Sequence, residues 1–351
     1  MANATDGVFT VANPTITENL HTMAKLTLQE IKTLCYNRLR DCGASDQQAD
    51  IVALEVMDAE AEGIRNVGLG YLPLYLNHLR CGKVIGDAEP QIVKQSASAV
   101  IVDAKHGFCH TAYVHGEETL IALTKEQGIG MMAIHNSYSA GVLGWFVRRL
   151  AEKGLVSLMF ANSPKAVAAH GGKVPFFGTN PFAFGAPRQL DGPVIVDMAT
   201  ASTARVNIVQ AALEGTPIEP GHAIDSDGNP TTDAAEALKG AQLPVGGPKG
   251  FGLGLIVDLM GGVLTGSNCS YEAPLFSNNE GGVPNVGQSI IAFNPDFFSA
   301  NYIEHLEAMF TEMTQDNEVR IPGARRHELR AKYEQEGIEV PQNLLDRIAD
   351  I

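Results

Sequence analysis

The chain has 351 residues, with 25 Lys and Arg against 40 Asp and Glu, for a formal net charge of -15. That balance argues against a nonspecific nucleic-acid binder, because phosphate contacts need clustered cations, and 45% hydrophobic with 19% charged residues argues against a disordered chain. The length predicts two domains, or one large domain with an appended module, and enough residues for a sizeable core.

The opening "MANATDGVFTVANPTITENLHTMAK" lacks the basic start and apolar block of a secretion signal and reads as a loose leader. No apolar run approaches the roughly 20 residues that span a bilayer. From Leu26, the residues Leu28, Ile31, Leu34, Cys35 and Leu39 recur at helical spacing and the pattern stops at Gly43; Thr27 with Glu30 forms its capping box. Ser45 with Gln48 opens a second helix that runs to Gly63. Three glycines (Gly63, Gly68, Gly70) then interrupt the helical pattern before a third short helix that ends near Gly82. Such a cluster marks either a connector or a backbone that something approaches closely.

The middle changes character. "SASAVIVDA", "IGMMAIHNS", "GLVSLMFANS" and "GPVIVDMAT" are short apolar runs bounded by Gly, Asn, Ser or Pro, and they read as buried strands, with "HGEETLIALTKEQG" and "GVLGWFVRRLAEKG" as helices between them. "TPIEPGHAIDSDGNPTTDAAEALKG" is a polar turn region whose "DSDG" lacks the further ligands of a calcium loop. "KGFGLGLIVDLMGGVLTG" reads as a buried helix, and "NYIEHLEAMFTEMTQ" and "RRHELRAKYEQEGIEVPQNLLDRIADI" as amphipathic helices returning to pack with those of the N-terminus. The five cysteines have no CxxC or CxxH spacing, which predicts reduced thiols without a zinc site or disulfide framework.

A Rossmann fingerprint and a Walker A motif are both absent, since "GFGLGL" follows a loop and "VGGPKGFG" has no GK[ST] ending. Yet "AHGGKVPFFGTNPFAFGAP" and "PVGGPKGFG" offer free backbone N–H groups, the second with Lys249 as a point charge suited to phosphate. Taken in order, "GTNPFAFGAP", "VDMATAS", "GNPTTDAAEALKG", "GGPKGFGLGLIVDLMGGVLTG" and "RIPGARR" resemble the type 2 malate/L-lactate dehydrogenase family. That family includes ureidoglycolate dehydrogenase, sulfolactate dehydrogenase and the piperideine/pyrroline-2-carboxylate reductases, and "AIHNS" with the tail "RIPGARR...EGIEVP" looks most like the imine-reductase branch.

The resemblance implies an α/β, non-Rossmann fold in a homodimeric, cytoplasmic oxidoreductase that binds NAD or NADP and a small-molecule substrate, with no nucleic acid and no membrane. Residues 96–289 would form the nucleotide-binding domain, and residues 1–95 with 290–351 the helical, substrate and dimerisation domain. Positions matching the family's cofactor site are Ser163, Gly178, Thr179, Asn180, Asp197, Met198, Ala199 and Lys249, with Lys249 meeting the pyrophosphate and the Asp197 carboxylate accepting ribose hydroxyls.

The active-site loop departs from the family pattern G-[IV]-x-S-H-G-x-x-R-[LM]-P. Asn66 stands for its serine, Val67 for its histidine and Tyr71 for its arginine, and Ser139 replaces a second family histidine. Ketone reduction needs a proton delivered to oxygen, worth about 10²–10⁴-fold. His110, Tyr138, His170 and Tyr71 are the candidates to supply it, and Arg65 and Arg205 the candidates to bind a substrate carboxylate. The expected reaction interconverts a 2-hydroxy acid and a 2-oxo acid. A cyclic imino acid is the alternative, because an iminium carbon accepts hydride without a new proton at nitrogen, and a dinucleotide-binding pseudoenzyme is the second alternative.

Overall fold

The computed structural model describes residues 22–351, so the leader reading lies mostly outside the described residues. The first helix, Leu28–Asp41, forms where the periodicity places it. The Thr27 hydroxyl accepts the Glu30 N–H at 3.2 Å and the Glu30 carboxylate accepts the Thr27 N–H at 2.8 Å, closing the capping box. Ser45 caps the helix Asp46–Ala61, and Gly82, in the left-handed conformation, ends the helix Leu72–Cys81. Ile31, Cys35, Leu39, Val52, Val56 and Leu76 from these helices bury into one apolar cluster.

The chain's two ends meet here. The strand Met23–Leu26 pairs antiparallel with Ile338–Pro341, and Ile338, Val340 and Ile348 enter the same cluster. The C-terminal return predicted from amphipathicity is present through a two-stranded ribbon and the helices Ala324–Glu336 and Gln342–Ala349, but the helix Tyr302–Met313 packs instead on the large sheet, with Phe310 against Ala186 and Val194.

A seven-stranded mixed sheet forms the other layer, in the order Gln91–Gln95, Ala99–Asp103, Ile129–Ser137, Val286–Phe293, Val156–Ala161, Phe182–Ala186 and Val194–Met198. Only the second and third of these run parallel, joined by the helix Cys109–Gln127; a parallel pair requires such a crossover. That helix and Leu143–Glu152 cover the sheet with a core that includes Tyr113, Trp145, Phe146, Met132 and Ile290. A smaller five-stranded sheet of very short strands contains Val167–Ala168 and Pro175–Phe177.

Three features differ from the sequence reading. The central strand Val286–Phe293 pairs on both sides within the large sheet, so a division at residue 290 cuts through it. The polar residues Gln288 and Ser289 in its middle are fully buried, which hides the strand from a search for apolar runs. The helix Pro248–Asp258, which continues as a π-helical turn Leu259–Val263, is not buried all round. Leu255, Ile256, Leu259, Val263 and Leu264 are 38–57% exposed along it, so the apolar run that reads as a buried helix has one face left open in a single chain.

Candidate active site

The glycine cluster after the second helix folds back on that helix's end. Gly63 takes φ +73°. At Gly68 an added Cβ would lie 2.5 Å from Glu60 Oε1, the atom that accepts the Leu69 N–H at 2.7 Å. Burial raises the Glu60 carboxyl to about 7 despite that hydrogen bond. The glycines thus admit a buried carboxyl that pins the loop, and the pinned loop presents Ile64, Asn66 and Val67 to a cleft of about 800 Å³.

Tyr71 enters the same cleft from the start of the next helix, and Ser139 from the turn that follows the strand Ile129–Ser137. Tyr71 packs edge-on against Tyr75 at 5.1 Å, and the Ser139 hydroxyl accepts the Gly141 N–H at 3.4 Å. Below that turn, Glu55 accepts the Val142 N–H at 3.1 Å, and a Cβ at Gly141 would come 2.8 Å from its carboxyl. Full burial pushes the Glu55 pKa well above the carboxylate range.

The opposite wall carries the motif residues. Ser163 and Thr179 line the cleft with their hydroxyls 3.3 Å apart. Asp197, Met198 and Ala199 line it further along, where the strand Val194–Met198 ends. Asp197 is already partly engaged: Oδ2 accepts the Gly144 N–H at 3.0 Å and an Arg326 N–H at 3.2 Å. Arg205, at the start of the helix Arg205–Glu214, also lines the cleft and makes no ion pair among the described residues, while burial lowers its pKa. A guanidinium desolvated without a carboxylate is suited to an anionic ligand. The cleft's volume lies within the range of ligand sites, so its hydroxyls, its one free carboxylate oxygen and the cations Arg205 and Lys165, neither in an ion pair among the described residues, fit a nicotinamide dinucleotide.

A family model described as malate/L-lactate dehydrogenase matches residues 26–349. The chain belongs to the malate/L-lactate dehydrogenase family. It is 40% identical over 323 residues to the (2R)-3-sulfolactate dehydrogenase (NADP(+)) of Chromohalobacter salexigens, covering 92% of this chain and 96% of that one. It is 34% identical to a Delta(1)-pyrroline-2-carboxylate/Delta(1)-piperideine-2-carboxylate reductase of Pseudomonas putida, over 94% of this chain and 97% of the relative. The crystal structure of delta1-piperideine-2-carboxylate reductase from Pseudomonas syringae pv. tomato superposes with a TM-score of 0.89 at 34% identity, covering 93% of this chain and 99% of that one.

Against this malate/L-lactate dehydrogenase frame, several residues singled out from sequence fall elsewhere. His110 is not in the cleft: it is fully buried, stacked on Phe146 at 5.3 Å, with Nε2 3.8 Å from the Glu55 carboxyl. Burial drives its pKa to about 3, so it is neutral and walled off from substrate. Tyr138 is buried as well, and its hydroxyl lies 2.5 Å from His78 Nδ1. Since His78 Nε2 faces the Asn278 carbonyl at 3.1 Å, a pure acceptor, Nε2 carries the ring proton and Nδ1 accepts from the phenol. The Tyr138 proton is committed away from the cleft.

His170 is exposed outside the cleft, and no histidine lines the cleft among the described residues. Lys249 stands exposed in the first turn of the helix Pro248–Asp258 and does not line the cleft of this chain. Gly178 and Asn180 stand behind the wall. A Cβ at Gly178 would lie 2.1 Å from the Ser163 carbonyl. Asn180 accepts from the Ser163 N–H and the Ser270 hydroxyl and donates to the Gly254 carbonyl, which makes it a brace for the wall. Arg65 lies over the Tyr333 ring and donates to the Glu339 carbonyl, away from the site. Arg326, in "RIPGARR", was not among the expected site residues; the motif carried it in sequence, but its partner Asp197 is 129 residues distant.

Proposed function

We propose that this cleft binds NAD or NADP and interconverts a small 2-hydroxy acid and its 2-oxo acid. One observation carries the reading. The positions matching the family's nucleotide motif (Ser163, Thr179, Asp197, Met198) and its substrate loop (Asn66, Val67, Tyr71) share one cavity with an unpaired arginine. A bound nicotinamide would supply or accept the hydride. The Tyr71 hydroxyl, in the same cavity as Ser139, is the group that gives the proton to the oxo oxygen or removes it from the alcohol. Arg205 holds an anionic group, a substrate carboxylate or a nucleotide phosphate, in a protein whose overall charge otherwise repels it.

A cyclic imino acid is the second reading, favoured by the absence of any histidine from the cleft among the described residues and by the names of several relatives. Titrating the protein with NADH and NADPH by nicotinamide fluorescence tests the assignment. Saturable binding is expected, and Arg205→Met should weaken either the nucleotide Kd or the substrate KM by about tenfold or more, the scale of a lost charged hydrogen bond. If neither nucleotide binds, the reading fails.

The open apolar face of the helix Pro248–Asp258 supports a homodimer built through it, since a continuous exposed apolar strip marks an association surface. Sedimentation should give twice the chain mass, and Ile256→Glu should shift it toward one. A native monomer at micromolar concentration would contradict the assembly. No helix among the described residues is long and apolar enough to cross a membrane; a cytoplasmic location accords with this reading of the function.

A further inference from the structure

One wall of the cleft is a strap of irregular chain, with Leu275, Phe276 and Ser277 facing the cavity that Tyr71 and Ser139 also line. The strap is fastened to the helical part by a buried cation. Lys83, just beyond the helix Leu72–Cys81, is 1% exposed, and its ammonium donates to the Leu275 carbonyl, to the Asn278 carbonyl at 2.7 Å and to Asn278 Oδ1 at 3.2 Å. An ammonium has three donors, so its whole capacity is used on one turn of the strap. Lys83 has no ion-pair partner among the described residues, and burial lowers its pKa. A desolvated ammonium is costly unless its hydrogen bonds are made, and here they are made only while Leu275 and Asn278 converge on it.

His78, from the same helix, adds a second tie. Its Nε2–H reaches the Asn278 carbonyl, and its Nδ1 accepts from Tyr138, whose ring packs against Phe276 at 5.3 Å. Burial holds His78 near 4, so this single tautomer persists through neutral pH. Helix, strap and the residue preceding Ser139 are joined in one hydrogen-bonded chain.

We propose that Lys83, supported by His78, is a positioning residue that fixes the strap 275–278 as the substrate wall of the cleft and so sets which substrate side chains fit. This rests on the oxidoreductase reading above. The test uses Lys83→Met and Asn278→Ala with three measurements: hydrogen exchange over residues 274–281, nucleotide Kd by fluorescence, and KM and kcat for an accepted substrate. For Lys83→Met, exchange in the strap and KM should each rise by about tenfold or more, as for lost hydrogen bonds to a charged group, while kcat and nucleotide Kd hold. Asn278→Ala, on the exposed strap, should shift the same two quantities by less, and it decides the matter if Lys83→Met does not fold. Unchanged exchange in the strap, or exchange rising over the whole chain together with KM and Kd, overturns the proposal. If the native protein turns over no substrate, the oxidoreductase reading fails, while strap exchange at unchanged nucleotide Kd still decides the role of Lys83.

Discussion

Tyr71→Phe is expected to lower kcat for reduction of a 2-oxo acid by about 10²–10⁴-fold, the usual worth of a general acid, with nucleotide affinity unchanged. Phenylalanine keeps the ring that packs edge-on against Tyr75, so the variant removes the hydroxyl and little else. Among the described residues no histidine lines the cleft, and Tyr71 is the phenol that does. Its burial raises the pKa to about 12, with the Ser139 hydroxyl drawing it back in part. A raised pKa does not disable it: the alkoxide that forms as hydride arrives is a far stronger base than a phenolate, so transfer still runs downhill.

The pH dependence follows from the sign. A general acid acts in its protonated form, so ketone reduction should hold through neutral and mildly alkaline pH and fall only as pH nears 12. A family enzyme using an imidazole would lose its acid near pH 6.5. A full rate in Tyr71→Phe on a 2-oxo acid would remove Tyr71 from the mechanism. A full rate on a cyclic imine alone would favour the second reading, because an iminium needs no proton from the protein.

The second large effect is on stability. Asp58→Ala is expected to cost about 3–5 kcal/mol, the usual loss on removing one partner from a buried ion pair. Asp58 accepts from Arg148 at 2.6 Å, from Arg330 at 2.8 Å and from the Trp145 indole N–H at 2.9 Å. Without it, Arg330 is left to Glu62, which caps the end of that helix, at 3.2 Å, Arg148 to Glu62 at 3.2 Å and the more exposed Glu152 at 3.3 Å, and the indole N–H loses its acceptor. Those partners come from the helices Asp46–Ala61, Leu143–Glu152 and Ala324–Glu336.

The loss therefore loosens the helix Ala324–Glu336 that delivers Arg326 to Glu62 and to Asp197 in the cleft. Denaturant unfolding should show the lower stability, and nucleotide affinity should fall with it. A change below about 1 kcal/mol, the scale of exposed pairs, would mean that the network is solvated and unimportant.

What could be read from the sequence follows the range of the interactions. Helix starts are local: Thr27 with Glu30 and Ser45 with Gln48 close within one turn, and both caps form as their spacing requires. The cleft wall at Ser163, Thr179 and Asp197 was legible because it is carried by short contiguous motifs. Tyr138 and Ser139 show the limit. They are neighbours in sequence, yet the Tyr138 hydroxyl is turned to the buried His78 and only Ser139 reaches the cavity. His110 looked available because sequence does not show that Phe146 and Trp145 pack against its ring. Arg326 was missed because its role depends on a carboxylate far along the chain. The strap's tie to Lys83 likewise spans 192 residues.

The most direct measurement is oxidation of NADPH and NADH by the purified native protein, followed by nicotinamide absorbance against a panel of small 2-oxo acids and cyclic imino acids. Saturable turnover of at least one of these with one nucleotide is the expected result. Tight nucleotide binding with no turnover on any of them would contradict it, and would leave a dinucleotide-binding protein without the chemistry.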